Sequence, residues 1–157
     1  MNRRFGFTLI ELLVTLAIIG VLAASAFPLS EMSVRRIKEK DLRESLWTIR
    51  AAIDAYKKAG DEGKVMRSSD QTGYPPSLSV LVEGVRNAKD PSRQKMYFLR
   101  RIPRDPFATD STVPADQTWG KRSYESAADS PREGKDVFDV YSRSDGMGLN
   151  GIRYREW

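Results

Sequence analysis

Apolar residues are unevenly spread along this chain, and one run dominates its start. From Phe7 to Phe27 only Glu11 carries a charge. About half a dozen successive turns are apolar on every face, which is not the stripe of a helix lying on a core. At about 1.5 Å per residue such a helix reaches roughly 30 Å, the thickness of a bilayer's hydrocarbon layer. Further on the period changes. Leu42, Leu46, Ile49, Ile53 and Tyr56 step by four and three, as on an amphipathic helix. Arg43, Arg50, Asp54, Lys57 and Lys58 fall mainly on its other side. Together the patterns predict one helix over residues 7–59, on the order of 80 Å long, stopped by Gly60. Pro28 lies inside it. Its missing N–H and its ring predict a kink or a locally melted turn there. The stripe reads as core contact rather than as a partner-binding face.

Beyond the helix the chain is punctuated. Gly60, Gly63, Ser68-Ser69-Asp70 and Gly73-Tyr74-Pro75-Pro76 mark residues 60–77 as loop. Residues 77–82 suit a short helix with Ser77 as its N-cap, and Asp90-Pro91 interrupts the chain again. Pro103 and Pro106 around Arg104-Asp105 predict a rigid crossover. Three strands are expected late, at 122–127, 137–142 and 152–157. Val137-Phe138-Asp139-Val140-Tyr141 is the strongest of them for its β-branched and aromatic content.

Composition narrows the chemistry. The 157 residues leave room for one domain. With no His and no Cys, zinc sites of those ligands, thiol nucleophiles, His-based triads and disulfides are excluded. A hydrolase would need a carboxylate pair, a Ser–Lys arrangement or a metal, and no spaced motif for any of these is present. The net charge of +5 suits a soluble surface. Within residues 86–104, however, Arg86, Lys89, Arg93, Lys95, Arg100, Arg101 and Arg104 face a single acid, Asp90. Tyr97 and Phe98 lie among them, but the spacing matches no nucleic-acid module. A solvated face or an inter-subunit surface is the expected use.

The first thirty residues admit three readings: signal peptide, membrane anchor or core helix. Arg3 and Arg4 before the apolar run, and Ala24-Ser25-Ala26 after it, fit a cleaved signal peptide. Glu11 argues otherwise. A carboxylate costs about 2.5–3.5 kcal/mol inside a membrane, so a segment needing only hydrophobicity has no use for it. Gly6-Phe7-Thr8-Leu9-Ile10-Glu11-Leu12 resembles the N-terminal motif of type IV pilins and type II secretion pseudopilins. The resemblance implies cleavage between Gly6 and Phe7 by a prepilin peptidase and N-methylation of Phe7. It also implies an assembly role for Glu11, whose carboxylate pairs with the amine of a neighbouring copy. Such pairing rewards one register, because a buried charge left alone is costly.

Two further segments resemble the G-type major pseudopilin. They are Leu99-Arg100-Arg101-Ile102-Pro103-Arg104-Asp105-Pro106-Phe107, and Asp139-Val140-Tyr141-Ser142-Arg143-Ser144-Asp145-Gly146 with Trp157 after it. The implied fold is α+β, a long N-terminal helix packed on a small antiparallel sheet. The implied organisation is a leader over 1–6, a transmembrane and assembly helix over 7–30, and a periplasmic globular part over 31–157. The implied work is structural and non-enzymatic: a homo-polymer, joined by other pseudopilins and by an inner-membrane assembly platform, that drives protein export. A type IV pilin for adhesion, motility or DNA uptake is the alternative. The same resemblance implies Ca²⁺ near Asp145 and Asn150, since hard cations take carboxylate and amide oxygens. Here the acid-rich stretch after Asp145-Gly146 is shortened to Met147-Gly148-Leu149-Asn150-Gly151, so a metal-free glycine turn is the competing reading. Asp139 belongs to the same oxygen-rich cluster, and Asp129 and Asp136 are further oxygen donors that nothing in the spacing selects.

Overall fold

Residues 6–8 are without regular structure, and α1 (Leu9–Asp61) follows without a break in its helical backbone. The computed structural model describes residues 6–68, 70–92 and 94–157, with the side chains of residues 24–30 outside the description. The kink expected at Pro28 concerns those residues. Contacts divide the chain into two compact units, Met1–Ile37 and Lys38–Trp157.

The helix ends later than Gly60. Gly63 N–H donates to Gly60 O at 3.0 Å and Lys64 N–H to Ala59 O at 2.9 Å, with Gly63 at φ +71°. That is the Schellman pattern, and it needs a left-handed residue, so the stop falls on Gly63.

In Lys38–Trp157 the stripe of α1 is buried as its period requires. Leu42, Leu46, Ile49, Ile53, Tyr56 and Ala59 face inward. Against them pack α2 (Ser79–Glu83) and two antiparallel pairs: β1 (Val85–Arg86) with β2 (Lys95–Met96), and β3 (Trp119–Arg122) with β4 (Asp139–Ser142). The first pair sets Arg86 opposite Lys95; the second sets Trp119 opposite Ser142 and Arg122 opposite Asp139. Leu78, Leu81, Leu99, Val137, Val140 and Trp119 complete the core. Trp119 is fully buried, and its indole N–H donates to Pro103 O at 2.8 Å.

The α+β layout is the one expected, with differences in detail. Leu78 rather than Ser77 precedes α2, and no side chain caps it; the Ser77 hydroxyl meets that of Ser79 at 2.8 Å instead. The strand expected at 122–127 lies earlier, because Trp119, not the polar 123–127, has the side chain the core takes. Residues 152–157 form no strand. Arg153 makes an isolated bridge to Met147, and Tyr154–Glu156 wind into a 3-10 turn that buries Tyr154.

Gly120 is where the β3–β4 pair is tightest. A Cβ there meets the Tyr141 ring at 2.3 Å. Overpacking of this kind costs about 1–3 kcal/mol. Gly120→Ala is therefore expected to lower the thermal midpoint by several degrees, read by circular dichroism. An unchanged midpoint shows that Tyr141 moves aside freely.

Candidate functional site

At the N-terminus Thr8 and Glu11 form a reciprocal cap. Thr8 N–H and Thr8 Oγ1 donate to Glu11 Oε2 at 2.8 and 3.0 Å, and Glu11 N–H donates to Thr8 Oγ1 at 3.3 Å. The pattern Thr-x-x-Glu at the start of an apolar run is a capping box. It was present in the sequence, but the apolar run alone does not disclose it. Glu11 is thus satisfied within its own chain, at the positive end of the helix. Around it, Phe7, Leu9, Ile10, Leu12, Leu13 and Leu16 are all exposed. Gly6 is open on all sides, with nothing near the position of a Cβ. Among the described residues no helix is long and apolar enough to cross a membrane. Residues 24–30, the last part of the expected span, have no described side chains.

The second cluster lies in Lys38–Trp157. Glu39 falls on the stripe of α1, three residues before Leu42, and is buried. Its Oε1 accepts the Leu149 N–H at 2.8 Å and the Tyr154 hydroxyl at 3.0 Å. Arg50, placed by sequence on the polar side, turns inward. It holds Asp139 at 2.7 Å through Nε, and through its guanidinium reaches Val140 O at 3.2 Å and Trp157 O at 2.7 Å. Arg122 adds a second cation to Asp139 at 3.5 Å. The C-terminal loop is thus tied to α1 by a carboxylate and a guanidinium. Tyr154 stacks on Phe107, ring centroids 4.0 Å apart, and Arg43 lies over the Trp157 ring at 4.4 Å. Neither Glu39 nor Arg50 stood out by type. The signal available for Glu39 was its position on the apolar stripe.

The oxygen-rich residues are not brought together. Asp139 is taken by two guanidinium groups. Asp136 is buried, accepting from Ser123, Tyr124 N–H and Thr72. Asn150 Oδ1 accepts the Ile152 N–H at 3.1 Å, closing its own turn, with Gly151 at φ +78°. Asp145 is exposed and shares a shallow cavity with Arg143 and Arg155. Among the described residues no group of three acidic side chains could hold a metal ion. With one carboxylate and one amide from side chains, most of the six to eight oxygens Ca²⁺ takes would come from backbone carbonyls and water.

In the basic segment, Arg104 is structural, reaching Val113 O and Asp110 O. Asp105 is buried between the prolines, accepting from Ser142 Oγ at 2.6 Å and Phe107 N–H at 2.8 Å. Arg86, Lys89, Arg100 and Arg101 are exposed, and Arg93 lies outside the described residues.

A cavity of about 240 Å³ opens beside the end of α1, walled by Tyr56, Val65, Met66, Tyr74 and Pro76. Burial pushes the Tyr56 and Tyr74 phenols above their ordinary range. Near it, Lys57 bonded to Asp61 holds that carboxyl below the usual carboxylate range, with Arg67 adding to the effect.

Comparison with known proteins finds relatives of this chain. Residues 1–27 match the prokaryotic N-terminal methylation motif. The chain is similar to type II secretion system core protein G. It is 27% identical to that protein of Klebsiella pneumoniae over 70% of this chain and 74% of the relative. It is 29% identical to that of Pseudomonas aeruginosa over 86% and 91%. A type IV major alpha-pilin of Moraxella bovis is 27% identical over 99% and 94%. No solved structure matches. The expected resemblance to pilin-like and G-type proteins therefore holds.

Removing the Glu39 carboxylate leaves two donors without their acceptor. Glu39→Ala is expected to cost about 1–3 kcal/mol and to speed hydrogen exchange at the Leu149 amide, while Glu39→Gln, which keeps an acceptor oxygen, recovers part of both. Unaltered exchange at Leu149 in the alanine variant argues against the tie.

Proposed function

We propose that this chain is a structural subunit of a type II secretion pseudopilus, cleaved after Gly6, N-methylated at Phe7 and polymerised from the inner membrane into a periplasmic filament. The observation that carries the reading is Glu11, a lone carboxylate in an exposed apolar helix that opens with the methylation motif. Exposed apolar surface of this extent calls for lipid or for other helices. In the membrane the Thr8 donors keep the carboxylate satisfied. In the filament it exchanges them for the amine that cleavage creates on Phe7 of a neighbouring copy. The implied partners are further copies of the chain, other pseudopilins, a prepilin peptidase and an inner-membrane assembly platform. The work is mechanical and has no catalytic residue. A type IV pilin is the second reading, favoured by the Moraxella relative, which aligns over nearly the whole chain.

Intact mass tests processing: loss of Met1–Gly6 with gain of one methyl group is expected, and a start at Phe27 overturns the reading. In the same cells Glu11→Val is expected to leave membrane insertion intact and to abolish or disorder filaments. Normal filament yield from that variant counts against the pairing role.

Calcium at Asp145 and Asn150 is proposed by the resemblance alone, and the two side-chain donors set its limit. We read the loop as held chiefly by Glu39 and Arg50. Melts of the full chain with excess Ca²⁺ and with chelator test the metal. A site filled at about 100 times its dissociation constant adds about 2.7 kcal/mol, so the proposed site is expected to raise the midpoint by several degrees with Ca²⁺, and coincident melts leave a metal-free glycine turn.

A further inference from the structure

In the C-terminal loop the Asn150 side chain is bent back over its own main chain. Its Oδ1 accepts the N–H of Ile152, two residues on, at 3.1 Å, which is an Asx turn. Gly148 makes room for this, since a Cβ there would lie 2.5 Å from Oδ1. The ring that the hydrogen bond closes contains both the carboxamide carbon, Cγ, and the backbone nitrogen of Gly151. Asn150 and Gly151 are exposed, and nothing lies within 4 Å of the place of a Cβ on Gly151. We propose that Asn150 is a self-modifying site, at which the Gly151 nitrogen displaces the side-chain amide in the folded chain.

The step needs no co-reactant but water. Gly151 N bonds to Cγ, the Cγ–Nδ2 bond breaks, and Nδ2 leaves as ammonia with the proton that Gly151 N gives up. The product is a five-membered succinimide. Water opens it at Cγ to give an aspartate, or at the Asn150 main-chain carbonyl to give a β-linked aspartate. Either route consumes one water and adds one negative charge to a loop whose own carboxylate is Asp145. As Gly151 N attacks, negative charge builds on Oδ1, where the Ile152 N–H already points, and a donor fixed there lowers the barrier. The same bond keeps the reacting carbon near its nucleophile. The opposing contact is Gly151 N–H to Gly148 O at 2.9 Å, which has to open first. It lies inside an exposed turn, and such bonds open locally.

Asn87 is the contrast. Its Oδ1 accepts the Lys89 N–H at 3.0 Å in the same kind of turn. The next residue there is Ala88, whose side chain shields its nitrogen and whose N–H is held by Lys64 O at 2.8 Å, across the fold. The two products at position 150 also differ in effect. Aspartate keeps an acceptor for Ile152. The β-linked form lengthens the main chain inside the rings closed by Gly151 N–H to Gly148 O and by Gly148 N–H to Ile152 O at 2.7 Å, so both loosen. Leu149 lies between them, and its tie to Glu39 loosens too.

The detergent-purified full chain, kept in warm neutral buffer, is sampled by peptide mass spectrometry. A gain of one mass unit is expected on the peptide holding Asn150, resolved into two isomers, at least tenfold faster than on the peptide holding Asn87. Hydrogen exchange at the Leu149 amide is expected to quicken in step with the β-linked fraction. Aspartate without the β-linked isomer means direct hydrolysis and overturns attack by Gly151 N. Equal rates at Asn87 and Asn150 overturn the part given to Gly151. No gain in the folded chain overturns the site, whether the same chain in urea gains the mass unit, so that the fold protects it, or does not.

Discussion

A two-stranded antiparallel pair is marginal in water unless something covers one of its faces. This chain has two such pairs in Lys38–Trp157, and what covers them is the apolar stripe of α1. Leu42, Leu46, Ile49, Ile53 and Tyr56 form the continuous wall on which Trp119, Val140, Leu81 and Leu99 rest. Burial of a large apolar side chain is worth about 1.5–3 kcal/mol, so the stripe outweighs any single ladder of four paired residues. The sheets stand because the helix is there, and the helix keeps its position because the sheets bury it.

Polar side chains then choose one arrangement among those the apolar contacts allow. Arg50 joins α1 to β4 and to Trp157; Glu39 joins α1 to Leu149 and Tyr154; Asp105 joins the proline crossover to β4 through Ser142. Each links segments far apart in sequence, and no described buried side-chain polar atom is left without a partner. Breaking one such tie is costly, because the remaining partner keeps its desolvation penalty. That is how a short C-terminal loop with a single carboxylate of its own, Asp145, can be held in place by groups that reach it from the helix.

How much of this was legible depended on whether the signal was periodic. Both parts of α1 were visible because apolar spacing repeats, and the structure places its ends within two residues of expectation. The core stripe was legible for the same reason. Glu39 and Arg50 were not, since a charged residue on or beside a stripe reads as solvent-facing until its partner, about ninety or more residues away, is known. The strands were misplaced where type outweighed packing: Ile152 and Trp157 look like strand residues, yet Tyr154 is buried by a 3-10 turn. Of the N-terminal site, Gly6, Phe7 and Glu11 were legible by resemblance, whereas the part Thr8 plays came from local geometry.

The proposed assembly poses two separate physical demands, and these fall on different residues. Apolar helices attract one another strongly but with little preference for register, because a smooth aliphatic surface packs almost equally well after a small slide. Strength therefore comes from the exposed run beginning at Phe7, and specificity must come from elsewhere. A charge whose partner sits at one axial position penalises slides, which suits Glu11 to fixing height. It does little to fix rotation, since an amine on a neighbouring helix can be met from several directions. Rotation needs an anisotropic contact, which a smooth aliphatic helix surface does not supply. A weak selective contact added to a strong unselective one is what a polymer needs to form readily and in register.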